Sequence, residues 1–158
     1  MDYSWLRMQF DGGSRGNPGP AGCGVILSTP QGELVYELGD FLGNHTNNYA
    51  EYMGLIRGIE AAINLGVKKL EIRADSELVV RQILGIYRVK NATLKPLHQQ
   101  AIALLKTVPH WSIEHVYRGA NARADELANI AMNRNRAIHG GPGAELLHPK
   151  ERCGPPTV

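Results

Sequence analysis

Four acidic residues are placed so that they could bind metal ions together: Asp11, Glu51, Asp75 and Asp125. Asp11 and Asp75 each end a strand-like segment. Glu51 lies in a segment with helical periodicity, and Asp125 falls in the first turn of another predicted helix. Carboxylates at strand ends and in helical segments suit a site for paired divalent cations. Such a site activates a water molecule and stabilises the leaving oxygen of a phosphodiester.

The composition is that of one ordinary globular domain, and it permits a nucleic-acid partner without requiring one. The chain has 158 residues, enough to bury a core, and its 43% hydrophobic and 20% charged residues are those of a soluble globular protein. Lys and Arg outnumber Asp and Glu by 17 to 15. This excess is too small to indicate nucleic-acid binding by charge alone.

The cysteines and the hydropathy pattern favour a reducing, non-membrane location. Cys23 and Cys153 are far apart and lack the spacing of a metal site. We interpret them as two free thiols, although a disulfide between the tail and the body stays open. No segment approaches the roughly 18 consecutive apolar residues of a membrane span, and the N-terminus lacks the pattern of a signal peptide. We expect a cytoplasmic protein.

The first third of the chain predicts an antiparallel meander. Residues 3–11 alternate in polarity, and residues 19–28 and 33–42 read as two further strands joined by a turn at 30–32. Helical periodicity follows. An apolar stripe predicts a helix that contains Glu51 and ends at Gly66, formed by Tyr52, Leu55, Ile56, Ile59 and Ile63.

The rest of the chain adds two strands and three helices. Strands are predicted at 69–74 and 111–117, and helices from near Ser76, at 96–106, and after Asn121, which we expect to be an N-cap. A right-handed crossover would place the fourth strand parallel to the first. Asp11 and Asp75 would then lie at the carboxyl edge of neighbouring parallel strands, where α/β sheets bind ligands.

The composition changes near residue 136. Residues 137–158 are rich in Gly and Pro, and we interpret them as a C-terminal tail. Residues 1–136 would then form the single catalytic domain.

Four segments in order resemble the ribonuclease H family, type 1. They are FDGGSRGNPGPAG, NHTNNYAEYMGL, IRADSELVVRQI and RGANARADELANIA, and the likeness covers about residues 7 to 134. The resemblance implies an α/β ribonuclease H-like fold, with a five-stranded mixed sheet flanked by helices. It also implies a metal-dependent endonuclease that uses two Mg²⁺ ions, with Mn²⁺ able to substitute. That enzyme hydrolyses the RNA strand of RNA–DNA hybrids and leaves a 5′-phosphate and a 3′-hydroxyl.

The same resemblance implies metal-binding roles for the four acids. Asp11 would bridge both ions, Glu51 and Asp75 would complete the shell of the ion that activates water, and Asp125 that of the leaving-group ion. Taken singly, each acid could instead be a helix-dipole or turn residue. Four such positions at once favour the metal site.

The glycine-rich loop after Asp11 suggests contact with a sugar-phosphate chain. Gly12 and Gly13 let the backbone approach closely, and backbone groups there could reach 2′-hydroxyls, although the loop could be only a tight turn. By resemblance, Asn17 and Asn48 would contact base edges in the minor groove, and Thr46 would hold a phosphate of the DNA strand. Residues 47 and 48 could also cap the following helix.

Two further residues are substrate-binding candidates. Ser76 could both cap its helix and contact a phosphate. Glu77 occupies a position where the family favours Gln, so a carboxylate there would have to accept hydrogen bonds.

The chain departs from the common bacterial pattern before the fourth acid. Many family members have a His there that assists the leaving group or product, but here Arg118 is at the best-matching position. Arg cannot act as a general base near neutral pH, yet it can hold a phosphate and stabilise a departing charge. We therefore place Arg118 among the catalytic residues. His115, three residues earlier, is expected to be structural.

The chain also lacks the basic protrusion by which some members bind the DNA strand. Only Arg88, Lys90 and Lys95, with Tyr87, lie in that segment. This resembles the protrusion-less subgroup of archaea and some bacteria, and it predicts weaker substrate affinity.

Two alternatives stay open at the sequence level. One is a non-catalytic nucleic-acid-binding module that keeps the fold, against which the presence of all four acids argues. The other is a nuclease that also acts on double-stranded RNA through the same chemistry. We expect a monomer without an obligate protein partner.

Overall fold

The computed structural model describes residues 3–140, which form a six-stranded sheet with four α-helices. The strands are β1 (Trp5–Ser14), β2 (Gly19–Ser28), β3 (Leu34–His45), β4 (Lys69–Ala74), β5 (His110–His115) and β6 (Ile138–Gly140). The helices are α1 (Asn47–Asn64), α2 (Glu77–Ile83), α3 (Leu94–Leu105) and α4 (Ala122–Arg134), and a 3-10 helix spans Arg118–Asn121. None of these helices is long and apolar enough to cross a membrane.

The sheet has the strand order β5-β4-β1-β2-β3-β6. β2 is antiparallel to both of its neighbours, β1 and β3, whereas β4 is parallel to both β1 and β5. The predicted mixed sheet is therefore confirmed. Phe10 of β1 pairs with Ala74 of β4, so the next residues, Asp11 and Asp75, lie at the same edge of the sheet as expected.

A sixth strand corrects the predicted count of five. β6 pairs antiparallel with β3, and Ile138 packs with Ile26 and Leu127 in a small apolar cluster. The region expected to be tail therefore begins with part of the sheet. Three residues are too few for periodicity to reveal a strand. The predictions for Cys153 and the rest of the tail fall on residues 141–158, outside the described residues, whereas Cys23 is a buried free thiol.

Helices α1 and α4 pack on opposite faces of the sheet. A Cβ on Gly58 of α1 would collide with Met8 and would meet Val25. A Cβ on Gly24 would collide with the Ala124 carbonyl of α4. Since successive residues of a strand point to opposite faces, Val25 and Gly24 assign the two helices to different sides. The close contact between helix and sheet on each face fixes the position of α1, which contains Glu51, and of α4, which contains Asp125.

Side-chain caps set the starts of two of the helices, α1 and α2. The Thr46 hydroxyl accepts from the Tyr49 N–H, so Thr46 is the cap of α1 and residues 47 and 48 lie inside the helix. Ser76 caps α2 as predicted, accepting from the Val79 N–H. Helix α3 begins two residues before Pro96, because the first turn of a helix tolerates proline.

Candidate active site

Asp11 and Glu51 form the buried centre of a cleft at the carboxyl edge of β1. Each residue is only 6% exposed. Asp11 comes from the central strand, and Glu51 comes from the second turn of α1. Their carboxyl groups are hydrogen-bonded to each other. Two acidic groups in such contact away from solvent cannot both be ionised without a nearby positive charge.

The backbone of Gly12 fixes this pair. Its N–H donates to Glu51 Oε1 at 2.6 Å and lies 2.9 Å from Asp11 Oδ1. A Cβ at position 12 would collide with the backbone of Ala50 and Glu51. Only glycine therefore permits the approach of β1 to α1 that brings the two carboxyl groups together.

Asp75 completes a three-carboxylate cluster. One oxygen from each of Asp11, Glu51 and Asp75 lies within 4.8 Å of the other two. Asp75 follows β4 directly and is half-buried, so its side chain faces both the buried pair and the open cleft.

Asp125 lines the same cleft as this cluster but comes from α4. It is exposed on the first turn of α4 and is hydrogen-bonded to Asp11. Asn129, one turn later, donates to the Asp125 backbone oxygen at 3.0 Å and lies 3.4 Å from its Oδ2. All four predicted acids therefore line one cleft.

The electrostatics of the centre are those of crowded, buried acids. Burial raises the pKa of Asp11 to about 7; the hydrogen bond with Glu51 opposes this rise, and the charge of Asp75 adds to it. Burial, followed by the contact with Asp11, holds the pKa of Glu51 well above its ordinary value. A cation placed among these groups would favour their ionised forms.

The donor set fits a hard divalent cation. Glu51 Oε2 is buried, and no residue of the described range donates a hydrogen bond to it. A buried carboxylate oxygen without a donor is costly unless a cation compensates it. The donors are all carboxylate oxygens, which Mg²⁺, Mn²⁺ and Ca²⁺ prefer over the nitrogen and sulfur sites of softer metals.

The glycine-rich loop is attached to the start of α1. Asn47 Oδ1 accepts from the Ser14 N–H at 2.7 Å, and Asn17 Oδ1 accepts from the Asn47 N–H at 3.1 Å. The Asn17–Pro18 peptide bond is cis. Asn47 itself lines the cleft, and the sequence interpretation did not assign it this position. The only indication in the sequence that Asn47 could lie at the site was its place in the polar segment of residues 46–48.

The structure divides the predicted substrate-binding residues into two groups. Gly12, Gly13 and Ser76 line the cleft. The other four candidates are exposed and lie outside the set that lines this cleft: Asn17, Thr46, Asn48 and Glu77. The Glu77 carboxylate accepts from Arg81 Nε at 3.1 Å, an exposed pair one turn apart on α2.

Arg118 and His115 occupy different environments. Arg118 begins the 3-10 helix and lines the cleft with the four acids. His115 ends β5, is exposed, and has Nε2 3.3 Å from the backbone oxygen of Asp75. The geometry therefore supports Arg118 as the residue of this segment that can reach the cleft.

Asn121 makes a contact with the acidic cluster that the sequence analysis missed. It occupies the N-cap position of α4, but its side chain makes no capping hydrogen bond. Its amide donates instead to the backbone oxygen of Phe10 and to Asp75 Oδ2. The Asn side chain has competing tertiary acceptors here, which local sequence cannot reveal.

Comparisons with known proteins identify the family of this chain. A family model described as reverse transcriptase-like matches residues 9–131. A ribonuclease HI of Halobacterium salinarum is 46% identical over 124 residues, covering 78% of this chain and 62% of that protein. A bifunctional protein of Mycobacterium tuberculosis is 44% identical over 127 residues, covering 80% of this chain and 35% of that protein. The chain thus matches less than two thirds of the length of either relative.

Two solved structures share the fold over nearly their whole length. The RNase H1 of Halobacterium salinarum superimposes with a TM-score of 0.79 at 44% identity, covering 81% of this chain and 97% of that chain. LC11-RNase H1, isolated from compost, was solved in complex with an RNA/DNA hybrid. It matches with a TM-score of 0.79 at 41% identity, covering 82% of this chain and 98% of that chain. The chain belongs to the ribonuclease H family, type 1.

Proposed function

We propose that this protein is a metal-dependent endonuclease that hydrolyses the RNA strand of RNA–DNA hybrids. The observation that supports it best is the convergence of Asp11, Glu51, Asp75 and Asp125 on one open cleft. A non-catalytic module would gain no stability from like charges gathered at a buried centre. The relatives named ribonuclease H, one of them bound to a hybrid, support the substrate class.

The four carboxylates would hold two divalent ions, for which Mg²⁺ is the proposed species and Mn²⁺ a substitute. Asp11 is central, since it contacts both Glu51 and Asp125. When bound, the ions lower the pKa of a water molecule and stabilise the charge of the leaving oxygen. The oxygen of water forms a bond to phosphorus as the P–O3′ bond breaks, and the products are a 5′-phosphate and a 3′-hydroxyl.

The chain's own residues would position the nucleic acid. Gly12 and Gly13 present backbone to the cleft, and Ser76 lies beside Asp75 at the start of α2. Arg118 lines the same cleft, and its guanidinium would stabilise the charge on the departing oxygen. Asn17, Thr46 and Asn48 lie outside the cleft lining but next to the loop and the start of α1. They would contact the duplex where it extends beyond the scissile phosphate.

We expect the enzyme to act as a monomer in the cytoplasm, without an obligate protein partner. Sedimentation at micromolar concentration tests the oligomeric state.

The function is tested by cleavage of matched 20-mers in Mg²⁺: RNA–DNA, RNA–RNA and DNA–DNA. We expect the RNA strand of the hybrid to be cut and the DNA duplex to stay intact. Cleavage of the RNA duplex at a comparable rate would mean that the double-stranded RNA activity is not a side reaction. Tight binding of the hybrid without cleavage in either Mg²⁺ or Mn²⁺ would overturn the proposal in favour of a binding module.

A further inference from the structure

Asn121 is one of the few fully buried polar side chains in the described part of the chain. It is 1% exposed and lies where the 3-10 helix of Arg118–Asn121 passes into α4. A residue at this position would ordinarily turn its side chain toward the N–H groups of the first helical turn. The Asn121 amide points away from the helix and into the sheet edge instead. The Asn121 side chain therefore does not cap α4, and its hydrogen bonds are made to other elements.

The hydrogen bonds of Asn121 determine how its amide is oriented. Nδ2 donates to the backbone oxygen of Phe10 at 2.6 Å and to Asp75 Oδ2 at 3.3 Å. The opposite orientation would place two acceptor oxygens 2.6 Å apart, which is repulsive. The two N–H donors of one amide thus connect the backbone of β1 with a carboxylate beyond the end of β4.

These contacts place Asn121 between three elements that supply acids to the cleft. Phe10 immediately precedes Asp11, and Asp75 follows β4. Asp125 lies one helical turn after Asn121 on α4. A single side chain therefore joins the segments that contain Asp11, Asp75 and Asp125.

We propose that Asn121 is a positioning residue for the metal site, acting through Asp75. By holding Oδ2, the amide fixes the rotation of the Asp75 carboxylate, one oxygen of which lies within 4.8 Å of oxygens of Asp11 and Glu51. By holding the Phe10 carbonyl, it also sets the separation between Asp75 and Asp11. This inference rests on the proposed two-ion function, and it adds a residue that does not itself contact the ions or the substrate.

The expected size of the effect follows from other metal sites. Removal of a hydrogen-bond partner of a metal ligand usually costs 10- to 100-fold in metal affinity or activity. Asn121→Ala should therefore weaken the binding of Mn²⁺ by about that factor. Because the defect lies in metal affinity, raising the Mg²⁺ concentration should restore much of kcat. KM for the hybrid should change little at saturating metal.

A control must separate this role from the loss of a buried hydrogen bond. Gln82 is also buried, at 6% exposed, and its amide accepts from the Tyr52 hydroxyl and donates to the Arg88 backbone oxygen. Gln82→Ala removes a comparable buried amide from a different pocket. It should lower the melting temperature of the apo protein without changing Mn²⁺ affinity.

The experiment is calorimetric titration of Mn²⁺ into the substrate-free wild type, Asn121→Ala and Gln82→Ala, together with Mg²⁺ titrations of hybrid cleavage. If Asn121→Ala does not fold, Asn121→Ser replaces it, since its short hydroxyl cannot reach both acceptors. Wild-type Mn²⁺ affinity in a folded Asn121 variant would overturn the positioning role, even if hybrid cleavage by the wild type supports the proposed function. Conversely, an Asn121-dependent Mn²⁺ site in a protein that cleaves no duplex would uphold the positioning role and overturn the function.

Discussion

The backbone N–H of Gly12 lies 2.6 Å from Glu51 Oε1, and this bond joins the central strand to the helix that supplies the second acid. The same N–H lies 2.9 Å from Asp11 Oδ1. One backbone donor thus serves two carboxyl groups that repel each other when ionised. The geometry depends on position 12 having no side chain, because a Cβ there would collide with the backbone of α1.

Gly12→Ala should therefore damage both stability and the site. Because the added Cβ would collide with backbone rather than with a flexible side chain, we expect the unfolding free energy to fall by about 3 kcal/mol, the upper end of the usual cost of overpacking. Gly13→Ala is the matched control, since its Cβ would meet only Asn47 Oδ1 at 3.7 Å, an ordinary contact. Urea denaturation of both variants tests the prediction. Equal stability of the two would show that β1 and α1 can separate without cost.

Asp11→Asn should abolish hybrid cleavage while keeping the fold and the binding of the hybrid. The amide has nearly the shape of the carboxylate but is a much poorer ligand for a hard cation. Steady-state cleavage in Mg²⁺ is the measurement. Retention of more than about a tenth of wild-type kcat, a loss below roughly 1.4 kcal/mol of barrier, would contradict a site in which Asp11 binds both ions.

The stability of the metal-free protein should fall as the pH rises toward neutrality. The pKa of Asp11 is 3.8 ordinarily and about 7 in the fold, so between these values the folded state binds more protons than the unfolded state. Unfolding free energy decreases with pH where this holds, by up to about 1.4 kcal/mol per pH unit for one group. The loss is complete once the pH exceeds the folded pKa. Denaturation in a metal chelator from pH 4 to 8 measures it.

Two controls identify the source of that pH dependence. Asp11→Asn should make the profile shallower over the same range, since it removes one of the two buried acids whose pKa is raised and leaves Glu51 to titrate. Millimolar Mn²⁺ at constant ionic strength should raise the melting temperature most at pH 7 and above, because the ion binds the ionised native site. No shift in melting temperature with Mn²⁺ at pH 8 would argue against a preformed cluster.

Two C-terminal truncations, one that keeps β6 and one that removes it, should differ in their effect on stability. Removal of residues 141–158 should leave kcat on short hybrids nearly unchanged, since none of the motif residues identified in the sequence falls among them. Removal from residue 137 onward also deletes Ile138, which is buried against Ile26 and Leu127. We expect that deletion to cost about 2 kcal/mol more, the usual value for a buried aliphatic side chain. Thermal denaturation compares them, and identical melting temperatures would mean that β6 contributes nothing to stability.

Local patterns predicted the elements that position the acids, because those patterns extend over enough residues. The alternation of polarity before Asp11 covers several strand repeats, and the apolar stripe of α1 covers more than two helical turns. The predicted bounds of β2 and β4 match the observed ones. The order of elements then required a parallel β1–β4 pair, which placed Asp11 and Asp75 together. The convergence of the acids thus followed from topology as well as from family resemblance.

The parts that sequence could not predict depend on contacts between distant residues. The Asn121 amide is bound by acceptors more than 40 positions away, so its sequence context indicated only a cap. β6 is stabilised by pairing with β3, which a three-residue segment does not signal. The cap of α1 is Thr46 rather than residue 47 or 48. Sequence could not choose between these three positions, because Thr and Asn are both favoured as N-caps.

Arg118 provides the sharpest test of how this chain differs from relatives with a His before the last acid. If its guanidinium stabilises the departing oxygen, Arg118→Ala should lower kcat more than it raises KM, because the interaction is stronger in the transition state than in the ground state. We expect a 10- to 100-fold loss, about 1.4 to 2.7 kcal/mol, as for one charge-assisted contact. Arg118→His should restore part of the rate and add a pH dependence near neutrality.

His115→Ala is the matched control, since His115 lies in the same segment and its ring nitrogen faces the backbone oxygen of Asp75 rather than the carboxylate. It should cost little in kcat, because that contact leaves the Asp75 carboxylate in place. Steady-state cleavage of one hybrid by the three variants at several pH values gives the comparison. If His115→Ala is the damaging change and Arg118→Ala has no effect, the group that assists departure is the histidine. Arg118 would then line the cleft only as a surface cation.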